Sequence, residues 1–240
     1  MKKDLKIGGF LPFTTLDFPT VSAACVVFCQ GCPWRCPYCQ NRDLQAFHGQ
    51  TVFSWENILQ QIKERRCFLE GVVFSGGEPL AQKGLKAALE DMRNLGLKTA
   101  LHTSGALPQA LEEVLPWLDW VGLDVKTSFP KKDMQDSAGK TTKYDFLTGV
   151  TQSAEPVLES LKKVIESNIA FECRTTVDPR FVHPEDILLL AEELRELKVP
   201  NYTLQECLDK MRQPLYSECF SEGFLAKAKQ ILPSIIIRRA

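Results

Sequence analysis

The chain alternates between short, continuous apolar runs and longer stretches in which apolar residues recur at helical spacing. The run "VSAACVVF" (21–28) is β-branched and reads as a buried strand. Ser54 is placed to cap a helix that carries Ile58, Leu59 and Ile62 on one face. "GVVFSGG" (71–77) is a strand stopped by glycines. Leu85, Ala88, Leu89, Met92 and Leu95 then mark a helix closed by Gly96. "LKTALHTSG" (97–105) is a strand and 108–118 a helix; "WVGLDVK" (120–126) is the fourth strand. A polar stretch runs from Ser128 to about Thr142. Val157, Leu158, Leu161, Val164 and Ile165 define a helix, "IAFECRTTV" (169–177) a strand, and Pro184 opens a helix through Leu197. "NYTLQEC" (201–207) is the sixth strand, and a last helix covers roughly 221–231.

Six strands alternating with six helices imply βαβ units and a parallel sheet. The expected class is α/β, with six βα units over about 21–231, a lead-in over 1–20, and one domain spanning 1–240. Six right-handed units form an open sheet or an incomplete barrel, and in both the chemistry gathers at the C-terminal ends of the strands. The unusual residues do follow the strands. A cysteine cluster follows the first, "GGEP" the second and "HTSG" the third. "DVK" ends the fourth, "RTT" the fifth and "QEC" the sixth.

Composition narrows the picture without changing it. At 240 residues, 44% hydrophobic and 25% charged, the chain builds a core without disulfide staples. A net charge of −1 provides no field for nucleic acid or anionic membrane. No run approaches the about 20 apolar residues of a membrane span. "MKKDLKIGGF" has charge but no apolar stretch behind it, so no secretory leader is expected and a cytoplasmic protein is. Nine cysteines are many for that compartment, and their odd number argues against a closed disulfide set.

The cysteines carry the chemistry. "CQGCPWRCPYCQN" places Cys32, Cys36 and Cys39 as C-x3-C-x2-C, with Cys29 just ahead. Structural zinc usually takes two short pairs of ligands; no second pair follows, although His48 could serve as a fourth ligand. An iron–sulfur cubane takes one thiolate per iron, so three thiolates would leave one iron open to a substrate or cofactor. Cys29, at a strand end, is read as a small buried hydrophobe.

Tyr38 immediately before Cys39, and "SGGEP" at Ser75–Pro79 after the second strand, complete a pattern that resembles the radical S-adenosylmethionine superfamily. The resemblance narrows through "GGFLPFTTLDFPT", the "QGC–RC–YC–N" frame, "LHTSG", "GLDVK", "YDFLTGV" and "RTTV", which are similar to segments of glycyl-radical-enzyme activases. "IGGF…LDFP", "ECRTTV" and the late "LQ" at 204–205 most resemble activases of anaerobic ribonucleotide reductase. The resemblance covers about residues 7–207.

It implies an incomplete (β/α)6 barrel of the radical S-adenosylmethionine type. It further implies a [4Fe–4S] cluster on Cys32, Cys36 and Cys39, and S-adenosyl-L-methionine as its cofactor. Tyr38 and the backbone at Cys39–Gln40 are expected to flank the adenine, and Gly76, Gly77, Glu78 and Pro79 to hold the methionine amino end. Asp124, Val125, Lys126 and Arg174 are expected at its polar parts, with His102 and Thr103 nearby. The implied partners are a glycyl radical enzyme and a flavodoxin- or ferredoxin-type electron donor. Pyruvate formate-lyase-type enzymes are the alternative partner, and a small-molecule radical enzyme is a further alternative.

Some residues depart from the family pattern. His102 stands where many members carry a carboxylate that binds a monovalent cation, so no such cation site is predicted. It is read either as a cofactor contact or as a strand-end histidine satisfied by the protein. Gln40 replaces the histidine of the usual "CHN". Cys25, Cys67, Cys173 and Cys219 are read as hydrophobes, while Cys207 faces the functional end of the barrel without an assigned role. Only Cys67 lies between Cys39 and Gly76, so one cluster is expected. The polar stretch 128–143 is longer than a usual βα connection and is read as a surface loop or a partner-docking element.

Overall fold

The computed structural model describes residues 5–48, 53–130, 141–209 and 211–239. Most of the polar stretch read as a loop or docking element (131–140) lies outside the described residues. The strands are β1 (Ile7–Thr14), β2 (Ala24–Cys29), β3 (Gly71–Gly76), β4 (Lys98–Thr103), β5 (Trp120–Asp124), β6 (Ala170–Val177), β7 (Tyr202–Glu206) and β8 (Ile235–Arg238). The helices are α1 (Trp55–Glu64), α2 (Leu85–Asn94), α3 (Pro108–Val114), α4 (Lys143–Thr148), α5 (Ala154–Glu166), α6 (Pro184–Glu196) and α7 (Glu222–Ile231). The strands lie in chain order, β1 to β8, in an open eight-stranded sheet. β2–β3, β3–β4, β6–β7 and β7–β8 pair parallel, whereas β1 runs antiparallel to β2.

The six expected strands are β2 to β7, and the α/β class holds. The sheet adds β1 and β8 at its two edges. The sequence reads the β1 segment as a lead-in; Gly8, Gly9 and Pro12 are poor strand formers, and in the structure its register against β2 slips at two places. Its exposure shows no alternation. The helix expected over 108–118 ends at Val114 and tightens into a 3₁₀ turn at Leu115–Trp117, where Pro116 removes a backbone donor. α4 is an addition: at six residues it is too short to show a periodicity.

Two compact units divide the chain. One comprises the chain before Trp34, Asn41–Gly122 and Glu159–Ala170; the other comprises Trp34–Gln40, Leu123–Leu158 and the chain from Phe171 onward. In the first unit, Phe18, Ala24, Val26, Val73, Ala100 and Trp120 form one buried cluster. Phe18, from the "LDFP" turn, lies 6.2 Å from Trp120 between ring centroids. That turn therefore packs on the apolar face of β2–β4 and fixes where β2 begins. Ser54 caps α1 by accepting from Asn57 N–H, and Gly96 follows α2 at a φ of +69°, both as the sequence predicts. In the second unit, Tyr144, Tyr202, Val157, Leu190 and Leu204 are buried. His183 and Asp186 form a capping box at the start of α6.

Candidate radical and cofactor site

In the first unit the parallel register sets Cys29 level with Gly76. Cys29 is fully buried, and burial, with Glu78 nearby, pushes its thiol far above the usual range. That agrees with its reading as a core residue. Past Cys29 the chain turns at Gly31, whose φ is +103°. Gly31 N–H donates to Leu44 O at 2.7 Å, and Cys32 N–H donates to Gln45 O at 3.0 Å. Cys32 thus leaves β2 on a backbone tied to the segment that follows the cysteine motif. Gln30 braces the same loop. Its side-chain amide donates to Asp43 O and Ala46 O at 3.0 and 2.7 Å, and its own carbonyl accepts from Gln82 Nε2 at 2.7 Å. Gln30 and Gln82 were given no role from sequence; the only signal was Gln30's place within "CQGC".

The glycines of "SGGEP" approach the protein's own backbone. A Cβ on Gly76 would lie 2.4 Å from Cys29 N, and one on Gly77 2.3 Å from Gly31 O. Gly77 N–H donates to Cys29 O at 2.8 Å and Glu78 N–H to Gly31 O at 2.9 Å. The end of β3 is therefore docked against the root of the cysteine loop, and only glycine fits there. Pro79 and Leu80 enter a buried 3₁₀ turn.

Glu78 is fully buried. One carboxylate oxygen accepts from Thr103 Oγ1 at 2.7 Å and Leu80 N–H at 3.1 Å. The other accepts from Ser104 N–H at 2.9 Å and from the Ser104 hydroxyl. Burial raises its pKa although these four donors oppose the shift. Glu78 and Thr103 are thus bonded to each other and tie the end of β3 to the end of β4. His102 Nε2 lies 2.8 Å from Asp17 O. A carbonyl only accepts, so Nε2 carries the proton. The ring stands edge-on to Trp120 at 5.6 Å. His102 therefore holds the "LDFP" turn against β4.

In the second unit Cys36 and Cys39 share a turn in which Cys39 N–H donates to Cys36 O at 3.2 Å. Both are partly exposed. Burial raises the Cys36 thiol pKa, and the Lys126 ammonium works against that rise. The Tyr38 ring is buried 6.3 Å from that of Phe181, and its hydroxyl is buried with no hydrogen-bond partner. Asp124, at the end of β5, is bridged by two cations. Arg174 reaches one oxygen with Nε at 3.0 Å and Nη2 at 2.9 Å, and Lys126 Nζ lies 3.2 Å from the other. Burial disfavours the Lys126 ammonium, but Asp124 leads the charges that more than offset it and hold its pKa well above the ordinary value. Val125 is fully buried; its N–H donates to Arg174 O at 2.8 Å and its carbonyl accepts from Thr175 Oγ1 at 2.7 Å. It fixes the spacing of its two charged neighbours, and its side chain belongs to the core.

Cys207 Sγ lies 3.8 Å from Asp178 Oδ2; burial and Asp178 push its thiol up to about 11, while Gln40 works against that rise. Cys207 thus has partners that the sequence did not reveal. Asp178 is itself held by Arg180. Tyr144 was also missed: its hydroxyl accepts from Lys126 N–H at 3.3 Å.

Among the described residues no group of three or more His, Cys, Asp or Glu side chains is arranged to hold a single metal ion. Mononuclear zinc gathers its ligands on one ion, and a cubane assigns each iron its own thiolate. The donor set fits a cluster: thiols at C-x3-C-x2-C spacing, two of them on a shared turn beside a buried ammonium. The unpartnered Tyr38 hydroxyl and the Asp124–Lys126–Arg174 group fit a polar ligand next to it.

Comparison with known proteins agrees. The chain is 28% identical to a putative glycyl-radical enzyme activating enzyme of Methanocaldococcus jannaschii, over 97% of this chain and 95% of that protein. It is 29% identical to pyruvate formate-lyase 1-activating enzyme of Escherichia coli, over 75% of this chain and 71% of the other. The structure of Streptococcus suis SuiB bound to S-adenosylmethionine superposes with a TM-score of 0.61 at 14% identity; 88% of this chain spans about half (48%) of that one. That likeness is one of fold. The family model of the radical SAM superfamily matches residues 26–185. With that match over well over half its length, the chain belongs to the radical SAM superfamily, whose enzymes work with a [4Fe–4S] cluster and S-adenosylmethionine.

Proposed function

We propose that this protein activates a glycyl radical enzyme, with anaerobic ribonucleotide reductase as its partner. The observation that carries the activase reading is the match along nearly the whole chain to a relative named as a glycyl-radical enzyme activating enzyme. The choice of reductase rests on "IGGF…LDFP", "ECRTTV" and "LQ". A second reading, a pyruvate formate-lyase-type partner, is favoured by the match to the Escherichia coli enzyme.

In this reading Cys32, Cys36 and Cys39 hold the cluster. When bound, cluster and cofactor supply a 5′-deoxyadenosyl radical by one-electron reductive cleavage, which takes a Cα hydrogen from a glycine of the partner. The chain's own residues position and shield. Lys126 and Arg174, already aligned by Asp124, present positive charge to a carboxylate. Tyr38 and the backbone at Cys39–Gln40 offer an apolar face to adenine. The backbone of Gly76 to Pro79, set by the Glu78 network, faces the amino end. His102, engaged with Asp17, stands beside this group. The electron comes from a flavodoxin- or ferredoxin-type donor. No helix among the described residues is long and apolar enough to cross a membrane, and we place the protein in the cytoplasm as a single domain.

The test is anaerobic reconstitution with iron and sulfide, followed by dithionite and S-adenosylmethionine. About four irons per chain and deoxyadenosine formation that Cys36→Ala abolishes are expected. The reduced protein is then mixed with each candidate partner, and the glycyl radical is read by electron paramagnetic resonance. A radical on the reductase supports the first reading and one only on the lyase the second. Stoichiometric zinc without deoxyadenosine would refute both.

A further inference from the structure

α4 grips the cysteine loop, and every contact involved lies within the second unit. Arg35, between Cys32 and Cys36, donates its N–H to Thr148 O at 2.7 Å. The Trp34 ring meets Tyr144 edge-on, with centroids 6.5 Å apart and planes at 78°. Gly149 ends α4 in the left-handed region at a φ of +71°. A Cβ there would lie 3.2 Å from Arg35 Cβ and 3.4 Å from Arg35 O, so the loop backbone rests directly on this glycine.

The helix is itself anchored at both ends. Thr142 and Asp145 form a capping box, and Lys143 pairs with Asp186 at the start of α6. At the other end Thr148 Oγ1 bonds to Tyr144 O at 3.1 Å and to Ser153 Oγ at 2.7 Å. A six-residue helix has little stability of its own, so these anchors hold it in place against the loop. Backbone N–H groups around an iron–sulfur cluster tune it when they reach its sulfurs. The Arg35 N–H is directed instead to Thr148 O.

We propose that α4 with its Gly149 cap is a positioning clamp, which sets the backbone of Trp34–Cys36 and thereby the direction in which Cys36 is presented to the cluster. Thr148 and Gly149 are its positioning residues. The clamp rests on the reading of Cys36 as a cluster ligand.

The test compares reconstituted holoproteins by iron content and by the electron paramagnetic resonance spectrum of the reduced cluster, with and without S-adenosylmethionine. Gly96→Ala is the matched control. It strains a left-handed glycine of nearly the same φ, +69°, but its new Cβ meets only the end of the Arg66 side chain. Gly149→Asn retains the Cβ while Asn tolerates the left-handed conformation. Gly149→Ala and Gly149→Asn are both expected to shift the spectrum or lower iron content at least twofold, with Gly96→Ala like wild type. Thr148→Val is expected to shift it also, and Thr148→Ser to restore it; this pair decides should the glycine variants fail to fold. Wild-type spectra from both Gly149 variants and Thr148→Val would overturn the clamp. So would a wild-type spectrum from Gly149→Asn alone, since strain rather than contact would then be the cause. A wild type that binds no cluster would overturn the clamp and the ligand reading together, whereas a normal wild-type cluster with indifferent variants would overturn the clamp alone.

Discussion

Two carboxylates decide how the strand ends meet, and they do so differently. Glu78 is a buried anchor whose oxygens accept from four donors. In Glu78→Gln an amide would face the Ser104 donors and leave them unmatched. Unfolding in urea is expected to register a loss of about 1–3 kcal/mol. Asp124 is half-open and shared by Arg174 and Lys126. Asp124→Asn removes the charge that draws two cations together. Because the carboxylate is partly solvated, the expected destabilisation is only about 1 kcal/mol. The larger effect is expected on cofactor affinity, read by isothermal titration calorimetry with S-adenosylmethionine, since the two cations lose their alignment. Sequence reading picked out both acids but not the contrast between them. "GGEP" and "DVK" show an acid at a strand end, and only the fold shows which one is spent on neighbouring backbone. The same holds for Gly76 and Gly77: the need for glycine is legible, but its cause, contact with Cys29–Gly31, depends on the strand register.

At the scale of elements, six strands and six of the helices were legible because each carries a continuous apolar run or a long helical stripe. β1 and α4 carry neither, and the apolar run of β8, Ile235 to Ile237, is only three residues long. β1 and β8 are edge strands covered on one side, and α4 is defined by its caps rather than by a pattern. Its caps give a prediction. Thr142→Ala should lower stability by about 1 kcal/mol, measured by urea unfolding. Asp145 adds a pH dependence. Burial alone would raise its pKa, but hydrogen bonds from Ser153 and Thr142 outweigh that and lower it. Its contribution is therefore complete above the unfolded carboxylate pKa of about 3.9 and is lost as pH falls through the lower folded value. The stability difference between wild type and Asp145→Asn should shrink as pH drops below about 4.

For the whole molecule, the last strand offers the broadest check. Ile235 is fully buried, and Arg238 pairs with the buried Glu172 at 3.0 Å. A chain ending at Leu232 would uncover β7 and leave that carboxylate without its cation. It is expected to lose at least about 2 kcal/mol from the isoleucine alone, seen as an earlier urea midpoint. Partner choice belongs to this scale too, and it was the least legible property. Cofactor chemistry is written in local motifs, whereas recognition of a second protein is spread over a surface that no short motif encodes.

The burial of the thiols bears on life with oxygen. Cys25, Cys29, Cys173, Cys207 and Cys219 are sealed in the interior, where the reactive thiolate is suppressed. If Cys32, Cys36 and Cys39 hold a cluster, as proposed, its loss to air would expose to oxidants those three and the surface Cys67. Cys29, although only three positions from Cys32, is out of reach of a wrong disulfide. On that proposal damage would be confined to sulfurs that a reductant can also reach, and an inactivated molecule would be repairable by thiol and iron without having to unfold.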